Sequence, residues 1–170
     1  MIDAPSPWVV RWADYLTRSP VLDVACGSGR HARYFAARGL QVVAVDRDPQ
    51  AIEGVEFVQA DLEQGAWPLG ERRFAAIVVT NYLHRPLFPA LEAALEEGGV
   101  LIYETFMTGN ERYGRPSNPA FLLRPGELLQ AFGRLHVVAF EQGIVAHQKT
   151  AVVQRLFALR GQGESVRIAP

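Results

Sequence analysis

Residues 20–32 read PVLDVACGSGRHA, and the reading of this stretch decides the fold. Val21 to Ala25 is short, apolar and β-branched, which marks a buried strand. Two glycines follow, Gly27 and Gly29. Arg30 to Arg38 then carries helical spacing as far as Gly39, which sits where a helix stops. A strand passing through glycines into a helix makes a tight turn whose backbone can approach a ligand closely, beside the unpaired N–H groups of the helix start. A purely structural turn would read the same way, so the neighbouring segments must decide.

Outward from this unit the pattern repeats. Gln41 to Val45 is a second strand, Asp48-Pro49 opens a helix that Gly54 ends, and Val55 to Gln59 is a third strand. Asp61 to Arg73 lacks periodicity and reads as loop, so a crossover helix is missing or reduced there. Phe74 to Thr80 is a fourth strand, Leu87 to Leu95 a helix ending at Gly98-Gly99, and Val100 to Tyr103 a fifth strand. Thr105 to Leu123 is the longest irregular segment, and Pro125 to Phe132 a short helix. Arg134 to Glu141 and Val152 to Leu159, joined by Gln142 to Thr150, read as an antiparallel pair. Before the first strand, Trp8 to Leu16 is a short helix within a cap of residues 1–20. The alternation predicts one α/β domain over 1–170, with a doubly wound, mainly parallel seven-stranded sheet and a C-terminal antiparallel hairpin.

Bulk properties narrow the function classes. The chain has 170 residues, a net charge of −1 and 21% charged residues, so no global basic field advertises nucleic acid, which is nevertheless not excluded. Lys149 is the only lysine, against sixteen arginines. Arginine suits phosphate and carboxylate recognition, although compositional bias produces the same excess. A single cysteine, Cys26, rules out an internal disulfide and argues against a zinc cluster, so no metal is expected. The first residues do not read as a signal peptide, no apolar run is long enough to cross a bilayer, and the cytoplasm is the expected location.

Ligands of such sheets sit beyond the carboxyl ends of the strands. Three successive strands bring an acid there: Asp23 within the first, Asp46 after the second and Asp61 after the third. Asp46 lies nineteen residues past Gly27, a spacing at which a carboxylate can accept from ribose hydroxyls. Asp61 can accept from an exocyclic amine, with Leu62 supplying an N–H and an apolar contact.

The segments VLDVACGSGRH, AVDRDP, VEFVQADLE and FAAIVVTNYLHR resemble the first four motifs of class I S-adenosylmethionine-dependent methyltransferases. GGVLIYETF resembles that family's fifth strand, and the closing pair its terminal hairpin. Within the family the chain looks most like small stand-alone enzymes of the tellurite-resistance-like and general small-molecule kind. The resemblance implies S-adenosyl-L-methionine as cofactor. It implies that Gly27 and Gly29 line the methionine portion with Asp23 helping to position its amino group, that Asp46 holds the ribose and Asp61 with Leu62 the adenine, that Ala25 and Arg47 also belong to the cofactor site, and that Asn81 and Tyr82 lie where sulfonium and acceptor meet. Ala25 stands where the family usually has glycine. Asn81-Tyr82-Leu83-His84 departs from the Asn/Asp-Pro-Pro-aromatic motif of enzymes that methylate exocyclic amines of nucleobases or glutamine amides.

Tyr82 and His84 are the candidate catalytic residues, and Arg85, Glu104, Arg112, Tyr113 and Arg115 the candidate substrate residues. The expected acceptor is small, the arginines suggesting an anion, under a lid formed by residues 105–123, in a monomer or homodimer. Three other readings stay open at this point. They are an RNA or protein methyltransferase, a cofactor-binding domain without catalysis, and a nicotinamide-dependent oxidoreductase, because Gly27-Ser-Gly29-Arg-His-Ala32 also fits a relaxed dinucleotide fingerprint.

Overall fold

In the computed structural model, which describes residues 4–146, 149–163 and 166–168, the strands are β1 (Val21–Val24), β2 (Val42–Asp46), β3 (Val55–Gln59), β4 (Phe74–Thr80), β5 (Leu95–Phe106), β6 (His136–Ala146) and β7 (Thr150–Leu159). The helices are α1 (Pro7–Trp12), α2 (Arg30–Ala37), α3 (Phe88–Ala93) and α4 (Glu127–Ala131). All four residues of β1 are buried, as expected of a central parallel strand covered on both faces. β1 pairs in parallel with β2 on one side and β4 on the other, and the full order is β3-β2-β1-β4-β5-β7-β6. β7 runs antiparallel to both β5 and β6. The order reverses at β1, so the crevice at its carboxyl end is the switch point at which such sheets bind ligands.

The sheet separates two apolar layers. Trp8, Trp12, Phe35 and Phe157 pack on the face that α1 and α2 cover, where Trp12 stacks on Phe157 at 4.3 Å between ring centroids. Leu91, Leu128 and Phe132 fill the face under α3 and α4.

The structure corrects several expected boundaries. No helix forms between Asp48 and Gly54. Asp46 Oδ1 accepts from Asp48 N at 3.0 Å, a local turn that competes with helix initiation, and so few residues cannot offset the cost of nucleation. Ile52 from this segment is buried against Gly29 instead. The segment 61–73 is non-helical, as its composition suggested. β5 begins at Leu95, not Val100, because Gly98-Gly99 is a register irregularity inside the strand and not its start. A Cβ on Gly99 would lie 2.8 Å from the Glu96 carbonyl oxygen, so glycine permits that bulge. β6 continues through residues expected to connect the hairpin, as far as Ala146. Residues 1–3 of the expected N-terminal cap, and His147 and Gln148 of the hairpin connection, lie outside the described residues.

Candidate functional site

The carboxyl ends of β1 to β4 enclose a cavity of about 250 Å³ lined by Ala25, Asp46, Arg47, Ala60, Asp61, Leu62, Glu63, Asn81 and Tyr82. Seven of these nine had been expected at the site; Ala60 and Glu63 are additions from the third strand end. Asp46 holds its own position twice over: Oδ2 accepts from Gly27 N at 2.8 Å and Oδ1 from Asp48 N at 3.0 Å. Asp61 Oδ1 accepts from Glu63 N at 2.9 Å. A carboxylate has about four lone-pair sites, so both acids retain acceptor capacity toward the cavity.

Two residues without glycine's freedom, Ala25 (φ +51°) and Asn81 (φ +54°), adopt left-handed backbone, and both line this cavity. Asparagine tolerates that region, whereas for alanine it costs about 1–2 kcal/mol, which explains why glycine is usual at position 25. Gly29, at φ +80°, is doubly constrained, because a Cβ there would run into Ile52 Cδ1. Neither Gly27 nor Gly29 is on the cavity wall, and Asp23 is buried beneath the turn. Its Oδ2 accepts from Ala32 N at 2.9 Å and so ties β1 to the first turn of α2. Burial pushes the Asp23 carboxyl up to about 7, against the opposing effects of that backbone bond and of Arg30. These three residues shape the turn from behind.

His31 is a buried group that the sequence did not single out. Its Nε2 accepts from Ser6 N at 3.0 Å and its Nδ1 lies 3.4 Å from Thr80 Oγ1, so the ring is neutral with its proton on Nδ1. Burial, reinforced by Arg30, pushes its pKa down to about 3. A base whose folded pKa is depressed contributes stability above its unfolded value, about 6.5, that is lost as the pH falls towards 3. Replacing His31 by glutamine keeps an acceptor for Ser6 N–H and removes the titration. Urea denaturation from pH 7 to pH 5 should therefore show the variant gaining on the natural protein by about 1.4 kcal/mol per pH unit below 6.5. A constant difference between the two across that range would mean His31 does not titrate on unfolding.

A second cavity, of about 230 Å³, opens on the other side of Asn81. Its walls come from Ser6 and Pro7, from Arg30, from Glu104 and Phe106 of β5, from loop residues Asn110, Tyr113, Gly114 and Arg115, and from the β6–β7 end. Ser6 Oγ donates to Glu104 Oε1 at 2.6 Å, and Arg155 Nε donates to Glu104 Oε2 at 2.5 Å. The loop is anchored by Asn110, which is 2% exposed: its Oδ1 accepts from Val152 N at 3.0 Å and its Nδ2 donates to the Pro116 carbonyl. Pro116 and Phe121 of the same loop face a further cavity beside Tyr82 and Asn81. The segment 105–123 thus lies on the glycine-turn side of the sheet.

Three expectations for individual side chains are corrected. Arg85 does not face these cavities. Its Nε and Nη2 donate to Glu127 Oε1 and Oε2 at 2.5 and 3.0 Å, and its remaining groups bond the carbonyls of Ala120 and Leu122. It borders a cleft between α3 and α4 instead. Arg112 is exposed and folds back on the Gly109 carbonyl, outside the second cavity. His84 is on none of the three cavity walls, and its carbonyl accepts from Leu87 N in the turn that opens α3. Tyr82 does line the site, but burial, then the nearby Glu63, Asp61 and Asp46, pushes its phenol up to about 12. It is a neutral donor at neutral pH, not a base. Cys26 is likewise held as a thiol, pushed up to about 12 by burial and then by Asp23 and Asp46.

A family model described as a methyltransferase domain matches residues 21–99, the span from β1 into β5 that builds the first cavity. Solved structures extend the likeness over nearly the whole chain. TehB from Haemophilus influenzae superposes with a TM-score of 0.75 at 15% identity, over 92% of this chain and 63% of that one. The chain thus spans less than two thirds of that protein. An S-adenosylmethionine-dependent methyltransferase from Methanosarcina mazei gives 0.70 at 15% identity, over 93% of this chain and 99% of its own. Residues 21–99 thus match a methyltransferase domain, and nearly the whole chain shares the fold of S-adenosylmethionine-dependent methyltransferases. The Burkholderia thailandensis 1,6-didemethyltoxoflavin-N1-methyltransferase, solved with that compound and S-adenosylhomocysteine, gives 0.67 at 19% identity over 91% of this chain and 76% of its own. At the level of sequence alone no curated protein matches. The reversed β7 is where this sheet departs from the dinucleotide-binding sheet, whose strands run 3-2-1-4-5-6 in parallel, and this counts against the nicotinamide reading. Among the described residues no helix is long and apolar enough to cross a membrane.

Sequence reasoning missed Ser6, Arg30, Glu63, Lys149 and Arg155 on the cavity walls. Of these only Lys149, the one lysine, carried a signal in the sequence.

Proposed function

We propose that this chain transfers the methyl group of S-adenosylmethionine to a small-molecule acceptor seated in the second cavity. The observation that carries the reading is that Asn81 is a wall of both cavities, so a ligand in one meets a ligand in the other there. The first cavity fits the cofactor's polar groups. Asp46 and Arg47 would hold the ribose, Asp61 and Leu62 the adenine, and the strained backbone at Ala25 and Asn81 the methionine side. Asp23, Gly27 and Gly29 would support that side by setting the turn.

The sulfonium supplies an electrophilic methyl group, which needs a nucleophile aligned with it and shielded from water. In this chain alignment and shielding fall to Asn81, to Phe106 and Tyr113, and to the 105–123 segment acting as a lid. Glu104 is the carboxylate nearest to hand for an acceptor O–H or N–H, kept in place by Ser6 and Arg155. Both cavities are small, which favours a metabolite over an RNA or protein acceptor.

Calorimetry with S-adenosylhomocysteine and with NAD tests the reading. Binding of the former and none of the latter is expected, followed by transfer of labelled methyl in an acceptor screen. Binding of NAD alone would overturn it.

A further inference from the structure

The second cavity carries an imbalance of charge that the chain as a whole does not. Its walls include four cations, Arg30, Arg115, Lys149 and Arg155, and one carboxylate, Glu104, in a protein of net charge −1. Arg155 is committed, because it bonds both Glu104 and Glu141. The other three are not committed in this way: among the described residues no carboxylate lies within ion-pair distance of Arg30, Arg115 or Lys149. Arg30 donates to the Ala4 carbonyl at 3.3 Å through one nitrogen only.

These cations come from three separate places, the start of α2, the 105–123 loop and the turn into β7, and converge only in the folded chain. The room for Lys149 is built in. A methyl group at Gly114 would sit 3.1 Å from Lys149 Nζ, and glycine leaves that space open. Gathering like charges around one small cavity is unfavourable unless something of opposite sign enters it. Beside the cations and polar residues such as Asn110 and Thr150, the lining includes apolar side chains: Phe106, Val145, Ala151 and Val153, with the ring of Tyr113.

We propose that the acceptor is a small organic anion, a carboxylate or phosphate ester on a compact apolar body, with Arg30, Arg115 and Lys149 holding the anionic group and the apolar walls holding the body. This deepens the methyltransferase reading and rests on it, since the nucleophilic atom must then point to Asn81. At about 230 Å³ the cavity is no larger than the one assigned to the cofactor, which suits a compact body. Arg30 and Lys149 thereby join the one expected substrate arginine, Arg115, that the fold leaves facing the site.

The test titrates benzoate, phenyl phosphate and the neutral isostere benzamide into protein saturated with S-adenosylhomocysteine, read by calorimetry. At least one anion should bind about tenfold or more tighter than benzamide, and the tighter of the two anions assigns the group. Lys149→Met and Arg115→Met should each weaken that anion about tenfold, with S-adenosylhomocysteine affinity kept within about twofold as the control for folding. Lys149 is the only lysine, so its acylation by an amine-reactive ester, followed by mass spectrometry, should be slowed by the bound anion. The proposal is overturned if benzamide binds as well as both anions, if no anion binds at millimolar concentration, or if both variants bind the anion unchanged. Failure of S-adenosylhomocysteine to bind would instead sink the methyltransferase reading, and the same titrations on the free protein would still report the anion preference.

Discussion

Replacing Asp46 by alanine is expected to weaken S-adenosylhomocysteine binding about ten- to a hundredfold, the equivalent of charge-assisted bonds worth roughly 1.5–3 kcal/mol. Sequence reasoning expects that loss to leave folding nearly untouched, since Asp46 ends a strand. The structure adds a second loss. Asp46 also accepts from Gly27 N and Asp48 N, and so joins the glycine turn to the segment that follows β2. The alanine variant should therefore also be less stable, by about 1–2 kcal/mol in urea denaturation, because two backbone donors lose their partner at an exposed site that water can partly fill. Asp46→Asn separates the two effects, retaining one acceptor oxygen for the turn while removing the charge. A dissociation constant unchanged in both variants would remove Asp46 from the cofactor site.

The second large effect is expected at Glu127, a residue that sequence reasoning passed over. Glu127 is 7% exposed, and besides Arg85 its Oε2 accepts from Arg124 N at 2.7 Å. Breaking a buried pair by deleting one partner typically costs about 3–5 kcal/mol. The Arg85 side chain is 34% exposed, so water screens part of that, and Glu127→Ala should cost about 2–3 kcal/mol. Arg85 also bonds the carbonyls of Ala120 and Leu122, so its release should loosen the end of the 105–123 segment. Limited proteolysis should then cut that segment faster in Glu127→Ala than in Glu127→Gln, which keeps the shape and part of the bonding. Burial acts to raise the Glu127 pKa, but the Arg85 bond and the Arg124 backbone N–H outweigh it and hold the carboxyl below its ordinary 4.5. A carboxylate with a depressed folded pKa contributes stability present above 4.5 and lost as the pH falls through the lower value. The difference between Glu127→Ala and the natural protein should accordingly narrow in acid. Equal stability of the two at pH 7 would show that Arg85 gains nothing from the pair.

What the sequence determined by itself is the sheet and the first cavity. Val21–Val24, Val42–Asp46 and Phe74–Thr80 are apolar runs whose burial follows from their own composition, and the turn after β1 needs glycine for reasons internal to a few residues. Asp46 ends β2 and Asp61 lies two residues past β3, so knowing the strands places them. Such features depend on near neighbours along the chain, and hydrophobic patterning reports them. Where local competition was close, as from Asp48 to Gly54, the pattern misled: a side-chain bond from Asp46 and the burial of Ile52 outweighed a weak helical preference. Tertiary structure alone decided which of many similar side chains serve the acceptor cavity. Arg85 and Arg115 read alike in sequence, yet Arg85 is taken by Glu127, 42 residues away, while Arg115 faces the cavity. Glu104 meets Arg155 across 51 residues and Ser6 across 98. Arginine's long chain and many donors let it serve either end, and its role is set by which carboxylate the fold brings within about 3 Å of it. That distance is a property of the packed chain, and no local pattern of residues encodes it.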